Sequence, residues 1–169
     1  MTIIYRDATP ADAAALDGIF DTVFCDTFGH IYRAEDLAAF LASFGIADWE
    51  AQLDDPAYAT RIAEADGEPV AYAKLGPMKL PLETPAPAIL LDQLYVLKDH
   101  HGAGIAQALM AWAFDNAKRR GAKELYLTVF IDNHRARRFY DRLGFTAVGR
   151  YDFMVGSHAD EDIIMRKTL

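Results

Sequence analysis

The sequence predicts one α/β (α+β) domain, in which a mixed, mostly antiparallel central sheet of six or seven strands packs against about four helices. Three observations lead to this prediction. The chain has 169 residues, the size of one domain with its own core. Its apolar residues alternate in some segments and recur at helical spacing in others. These segments follow the order βααββ, βα, βα, ββ, and no repeat or linker divides residues 1–169.

The first half of the chain predicts a strand, two helices and a hairpin. Thr9 and Pro10 form a helix start, because threonine caps a helix and proline suits its first position. Asp66-Gly67-Glu68-Pro69 is a turn sequence between two strand-like runs. The predicted elements are a strand at 3–7, helices from Thr9 through Phe24 and at 35–44, and strands at 58–65 and 70–75.

The second half begins with an irregular loop at 76–88, since its prolines cannot donate hydrogen bonds within a sheet. The most strand-like run of the chain comes next, and a glycine turn leads from it into a helix that ends at Gly121. The predicted elements are strands at 89–97, 125–130, 145–153 and 163–167, and helices at about 104–120 and 133–143.

Composition and charge exclude several classes of protein. Hydrophobic residues make up 52% and charged residues 25%, which argues against disorder. The net charge of −8 disfavours nucleic acid and anionic membranes as partners, although it also serves solubility. The single cysteine, Cys25, can form neither an internal disulfide nor a metal cluster, and its apolar neighbours predict that it is buried. We therefore expect a cytoplasmic protein without a metal, a nucleic-acid partner or a membrane partner.

The segment from Leu94 to Ala106 joins a strand, a turn with two glycines and a helix. At such a junction the first amides of the helix are unpaired, and glycines allow a phosphate to come close. The P-loop pattern is absent, and Gln107 stands where a Rossmann fingerprint needs glycine or alanine. Two readings remain: a pyrophosphate site of another kind, or a plain β-turn-α junction that uses glycine for packing.

A second segment, Asn133 to Phe145, opens with a capping residue and places apolar and aromatic side chains along one side of a helix. Each residue has an ordinary structural explanation. Asn133 is a common N-cap type, and Tyr140 can be a core residue whose hydroxyl is satisfied locally.

Together the two segments resemble the GNAT (Gcn5-related N-acetyltransferase) superfamily. Its cofactor motif, Gln/Arg-x-x-Gly-x-Gly/Ala, is matched at Gly102 and Gly104, with Asp99 departing at the first position. Its later motif, Asn-x-x-Ala-x-x-Phe-Tyr-x-x-x-Gly-Phe, is matched from Asn133 to Phe145. The segments at 20–28, 91–96 and 162–169 further resemble the bacterial spermidine/spermine acetyltransferase branch.

The resemblance implies an acetyl-CoA-dependent N-acetyltransferase with no metal, in which the cofactor lies in a splay between two central parallel strands. Its acceptor would be a small primary amine, with polyamines first, and a homodimer is compatible with it. Tyr140 would be the general acid. Asp92 would be the general base, or else would pair with a neighbouring cation. The implied cofactor-binding residues are Leu94, Val96, His101, Gly102, Ala103, Gly104, Ile105, Ala106, Asn133, Arg135 and Tyr140.

Two alternatives stay open at the level of sequence. One is a GNAT-like module that senses acetyl-CoA or another ligand without turnover, and the other is an acetyltransferase for peptide or antibiotic amines. In the fold that the resemblance implies, two regions shape the acceptor pocket: residues 21–49, where acids outnumber bases and would attract a cation, and the loop before the final strand. Those acids are Asp21, Asp26, Glu35, Asp36 and Asp48.

Overall fold

The computed structural model describes residues 1–169 as five α-helices and seven β-strands. None of the helices combines the length and the apolar character that crossing a bilayer requires. The helices are α1 Ala13–Phe28, α2 Ala34–Ala42, α3 Ile46–Asp54, α4 Ile105–Arg119 and α5 His134–Arg142. The strands are β1 Ile3–Asp7, β2 Ala59–Ala65, β3 Glu68–Pro77, β4 Ala88–Val96, β5 Glu124–Phe130, β6 Thr146–Val155 and β7 His158–Thr168.

The strands form one mixed sheet in the order β1-β2-β3-β4-β5-β7-β6. Every neighbouring pair is antiparallel except β4 and β5, which are parallel. The predicted fold class, a mixed and mostly antiparallel sheet with helices on it, is confirmed.

Helices cover both faces of the sheet. Because side chains alternate along a strand, Ala71 and Ala73 of β3 face one way and Tyr72 faces the other. The alanines belong to the larger core, which includes the buried face of α4. Tyr72 belongs to a second core with α1 and with Trp49 of α3, whose ring centroid lies 5.3 Å from that of Tyr72. The sheet is thus the middle layer of three.

The structure differs from the sequence prediction in three places. Helix α3 was not predicted, although Asp48 accepts a hydrogen bond from the Gly45 amide at 2.8 Å and so marks its start. Strand β7 begins at His158, five residues before the predicted strand. Cys25 is exposed, because it lies on the side of α1 that faces away from the core.

Asp92 is the extra residue of a β-bulge in β4. Opposite it on β3, Lys74 pairs with Gln93 and the next residue, Leu75, already pairs with Leu91. The parallel pairing of β4 with β5 covers only 88–90 against 124–126 and stops just before this bulge. A bulge bends its strand, so beyond Leu90 the two strands diverge and leave a gap between them.

Candidate active site

A cavity of about 510 Å³ opens in the gap between β4 and β5. It is lined by the diverging halves of both strands, by the turn before α4, by α5, and by parts of α1, β6 and β7. Two of its walls are named here by their residues. The glycine wall consists of His101, Gly102, Gly104, Ile105 and Ala106, and the acidic wall consists of Tyr32, Phe153, Asp160 and Asp162.

The glycine wall presents free backbone amides from Gly102 onward, whereas the His101 amide donates to the Lys98 carbonyl at 3.2 Å. Gly102 and Gly104 have φ values of +80° and +78°, which residues with a side chain rarely adopt. The amides of residues 102–104 donate to no acceptor in the chain. The hydrogen bonding of α4 begins with the Ala108 amide, which donates to the Gly104 carbonyl at 3.1 Å. Such a row at a helix N-terminus suits an anion. A Cβ on Gly102 would meet no atom within 4 Å, so packing does not explain that glycine.

Arg135 lies across the same turn. Its guanidinium donates to Nδ1 of His101 at 2.6 Å, and Nε2 of that imidazole lies 2.9 Å from the Val96 carbonyl oxygen. Because a guanidinium can only donate, Nδ1 of His101 is the acceptor in this contact and Nε2 is the nitrogen that faces the Val96 carbonyl. The contact places a guanidinium, the side chain best suited to a phosphate, beside the free amides.

Asn133 caps α5. Its Oδ1 accepts from the Ala136 amide at 3.3 Å, and the residue also lines the cavity. The ordinary capping role and the site position therefore coincide at this residue.

Tyr140 lines the cavity with its ring packed in the core. The residue is 9% exposed, and its ring centroid lies 5.4 Å from that of Phe139 and 5.6 Å from that of Phe145. Its hydroxyl makes no hydrogen bond within the chain, unlike that of the buried Tyr72, which donates to Gln93 at 2.7 Å. Burial raises the pKa of Tyr140 above its ordinary value, so the phenol keeps its proton.

Asp92 lines the cavity, but both of its carboxylate oxygens are engaged. Oδ2 lies 3.1 Å from Nζ of the buried Lys74, and Oδ1 lies 3.0 Å from Nζ of the exposed Lys79. Burial alone would raise the pKa of Asp92, but attraction to the two lysines outweighs it and holds the pKa below its ordinary value. Of the two roles left open for Asp92, this geometry favours the ion pair.

The acidic wall carries two buried carboxylates on one face of β7. Asp160 accepts a hydrogen bond from the Tyr32 hydroxyl and lies 3.1 Å from Nε2 of His158. Asp162 forms no ion pair, and burial together with the neighbouring Asp160 raises its pKa to about 7. Aromatic rings from Phe24, Phe28 and Phe153 line the cavity beside these acids.

The acids expected to shape this pocket lie elsewhere, and none of the five lines the cavity. Asp36, for example, accepts from the Ser157 amide at 2.9 Å and from Nε of Arg33 at 3.0 Å, which ties α2 to the β6–β7 turn. The loop before the final strand was expected to shape the pocket, but Asp160 and Asp162 were not singled out, because the predicted final strand began only at Ile163. Two acids at 160 and 162 in a buried strand share a face, and that period-two signal was available.

The sequence-predicted site residues converge on one cavity with a single exception. Both candidate catalytic residues, Tyr140 and Asp92, line it. Ala103 does not. The other predicted residues that line it are Leu94, Val96, His101, Gly102, Gly104, Ile105, Ala106, Asn133 and Arg135.

Comparisons with known proteins agree with this geometry. A family model described as the acetyltransferase (GNAT) family matches residues 23–145, more than half of the chain. An uncharacterized N-acetyltransferase of Mycobacterium tuberculosis is 35% identical over 136 residues, which are 80% of this chain and 83% of that protein. Streptothricin acetyltransferase of Streptomyces lavendulae is 29% identical over 163 residues, covering 88% of this chain and 84% of that protein.

A solved structure has the same fold along its whole length. The PaiA N-acetyltransferase of Thermoplasma acidophilum, in complex with coenzyme A, superimposes with a TM-score of 0.80 at 20% identity and covers 100% of both chains. At that level of identity the likeness concerns the fold.

Proposed function

The chain belongs to the GNAT acetyltransferase family, and from that premise we propose that it transfers the acetyl group of acetyl-CoA to a cationic primary amine. One observation carries the proposal: a single cavity joins the glycine wall, which suits an anionic donor, to the acidic wall, which suits a cationic acceptor. Tyr140 lines that same cavity.

The residues of the glycine wall fit coenzyme A. The free amides of 102–104 and the first turn of α4 would bind its pyrophosphate, with Arg135 beside them. Beyond Leu90 the β4 backbone forms no ladder with β5, so the segment near Leu94 and Val96 would bind the amide-bearing arm of the donor, with the Val96 carbonyl oxygen also 2.9 Å from Nε2 of His101. When bound, the donor supplies an activated thioester carbonyl.

Acetyl-CoA is expected to raise Tm, because a ligand that binds only the native state stabilises it by mass action. Gly102→Val should abolish that rise, since valine strains a positive φ and fills the space in front of the free amides. Gly67→Val is the matched control, because Gly67 has φ +88°, open space around it and a position in the β2–β3 turn. A full Tm response in Gly102→Val, measured by differential scanning fluorimetry, would remove the glycine turn from the proposal.

Tyr140 is proposed as the general acid. The coenzyme A thiolate must gain a proton as it leaves, and a phenol that stays protonated is able to supply one. The amine must lose its extra proton before it attacks, because only the neutral nitrogen has a lone pair for attack on the carbonyl.

Polyamines are the proposed acceptors. Aromatic rings and carboxylates surround the acceptor side of the cavity, which suits an alkyl chain that bears ammonium groups. The chain charge of −8 attracts cations to the molecule as a whole. The segments at 20–28 and 162–169, which resemble the spermidine/spermine branch, contribute Phe24, Phe28 and Asp162 to the cavity.

We expect spermidine and spermine to be acetylated with a higher kcat/KM than aniline, which is uncharged at pH 8. This preference should shrink between low salt and roughly 0.5 M salt, because the Debye length falls well below 10 Å. Coenzyme A release and mass spectrometry of the amide measure it. Cys25→Ser removes the exposed thiol that would react with a thiol reagent.

An antibiotic amine is the second candidate acceptor, because streptothricin acetyltransferase aligns with 88% of this chain. The panel therefore includes streptothricin and a tripeptide with a free N-terminus. Efficient turnover of either one with inert polyamines would overturn the polyamine assignment and leave acetyl transfer standing. Acetyl-CoA binding without coenzyme A release on any amine would indicate a sensing module instead of an enzyme.

A further inference from the structure

Asp162 is a buried carboxylate that faces the cavity without a cation beside it. The residue is 6% exposed and lines the cavity, and its backbone lies opposite Phe130 of β5 and Tyr151 of β6. The Thr128 side chain is a polar neighbour that favours its charged form. A buried carboxylate normally requires a paired cation, and here the open side is the cavity itself.

The other two carboxylates of the cavity are already engaged. Asp92 is bound by Lys74 and Lys79. Asp160 is bound by the Tyr32 hydroxyl and paired with His158. Asp162 is therefore the carboxylate of the cavity that is left to receive a group from a bound molecule.

Tyr95 connects Asp162 with the proposed general acid. Burial raises the pKa of Tyr95, and the neighbouring Tyr140, Asp92 and Asp162 raise it further. All four residues line the same cavity. An amine bound there beside Tyr95 would share the cavity with both Tyr140 and Asp162.

We propose that Asp162 is the catalytic base, which takes a proton from the ammonium group of the acceptor and then holds the amine at the thioester. This inference rests on the proposed function. It assigns the role of proton acceptor to a residue of β7, whereas the sequence had suggested Asp92 of β4.

Asp162 and Tyr140 carry the protons in the proposed reaction. The ammonium group gives one proton to the Asp162 carboxylate, and the neutral nitrogen forms a C–N bond with the thioester carbonyl carbon. The C–S bond breaks with its electron pair on sulfur, and the Tyr140 hydroxyl gives sulfur a proton. The nitrogen then loses its second proton to the tyrosinate, which restores Tyr140. Asp162 releases its proton to water, so one proton leaves for each amide formed.

The environment of Asp162 suits this role. Burial and the Asp160 carboxylate raise its pKa to about 7, whereas the lysines hold the pKa of Asp92 below its ordinary value. A base whose pKa lies near the working pH takes protons more readily than a weaker one and is still deprotonated often enough to act. The titratable groups near it are Asp160 and its partner His158 on β7, Tyr32 before α2, Tyr95 on β4 and Tyr151 on β6, and Tyr140 of α5 lines the same cavity.

The test compares Asp162→Asn with the wild-type enzyme and with Glu161→Gln, using acetyl-CoA and the amine of the panel that the wild type acetylates best. Glu161 is the adjacent residue on β7, pairs with Arg150 and is half exposed outside the cavity, so its variant removes the same charge from the same strand. We expect Asp162→Asn to lower kcat roughly 10²–10⁴-fold. It should also lose the inflection of kcat near pH 7 that the wild type and Glu161→Gln show. The acetyl-CoA-dependent rise in Tm should remain.

A second measurement does not depend on turnover. Between pH 4 and 7 the folded state holds a proton on Asp162 that the unfolded state has released, so this group makes stability fall as pH rises through that window. Asp162→Asn cannot titrate. Its Tm relative to the wild type should therefore rise by a few degrees between pH 5 and pH 8, while Glu161→Gln should show no such rise.

The outcomes separate this inference from the proposed function. Acetyl transfer by the wild type together with an unchanged kcat and pH profile in Asp162→Asn would overturn the role of Asp162 and leave the function standing. A rise in KM with unchanged kcat would likewise overturn it, because it would show amine binding without proton transfer. A wild type that acetylates no amine of the panel would overturn both.

Discussion

Tyr140→Phe is expected to lower kcat roughly 10²–10⁴-fold while acetyl-CoA still raises Tm. The substitution removes one hydroxyl from a ring that is 9% exposed and packed between Phe139 and Phe145, so the site keeps its shape. The hydroxyl makes no hydrogen bond within the chain, so its removal leaves no buried partner unsatisfied. The loss should therefore appear in turnover and not in folding.

Tyr126→Phe is the matched control for that variant. Tyr126 is a buried tyrosine of β5 that does not line the cavity, and its hydroxyl donates to Glu124 at 3.2 Å. Its variant should keep kcat within about twofold, since surface and core hydroxyls far from the reacting atoms do not contribute to the transition state. Normal turnover by Tyr140→Phe, measured as coenzyme A release, would return Tyr140 to a purely structural role.

Lys74→Met is expected to lower the free energy of unfolding by about 3 kcal/mol, because removing one member of a buried ion pair leaves the other charge poorly compensated. The Lys74 side chain is 2% exposed, and its Nζ lies 3.1 Å from Asp92 and 2.7 Å from Gln52 Oε1. The ammonium also lies over the Trp49 ring at 4.5 Å from its centroid. Methionine keeps the length of the side chain but makes none of these polar contacts.

Two further variants decide the cause of that loss, with urea denaturation as the measurement. Lys79→Met should reduce stability by less than about 1 kcal/mol, because Lys79 binds the same carboxylate from a position that is 60% exposed. Lys74→Met/Asp92→Asn should regain part of the loss, since the double variant removes both charges. Equal losses in Lys74→Met and Lys79→Met would contradict the assignment of this stability to the buried pair.

The donor side of the site was predictable because its signals are local. Gly102 and Gly104 are adjacent to the helix that they precede, and the positive φ of each follows from the tight turn between β4 and α4. Asn133 and Tyr140 lie within one short helical segment. Their roles were predicted from the resemblance of these two contiguous segments to the GNAT motifs, and each motif is readable without long-range contacts.

The acceptor side could not be predicted in the same way because it depends on long-range pairing. Asp162 enters the cavity only because β7 inserts between β5 and β6, which no local pattern specifies. The engagement of Asp92 depends on Lys74 of β3 and Lys79 of the following loop, and a charged residue in a strand gives no sign of its partner. Helix α3 is a different case, since the Asp48 start signal and the buried Trp49 were available in the sequence.

The hydrogen bonds between Asp36 and Ser157 hold together two stretches of chain that are far apart in the sequence, α2 and the β6–β7 turn. The proposed donor side of the cavity is lined by residues from 91–142, whereas the proposed acceptor side, including the acidic wall, is lined by residues from 23–32 and 153–162. Gly156 lies at the tether, and a Cβ there would come within 2.7 Å of the Asp36 Cα, so this hairpin tip must stay small for α2 to remain seated. The β6–β7 hairpin and the α1–α2 region are thus held together as one structural unit. If the proposed division of the cavity holds, substitutions in that part should change the choice of amine and leave acetyl-CoA binding unchanged.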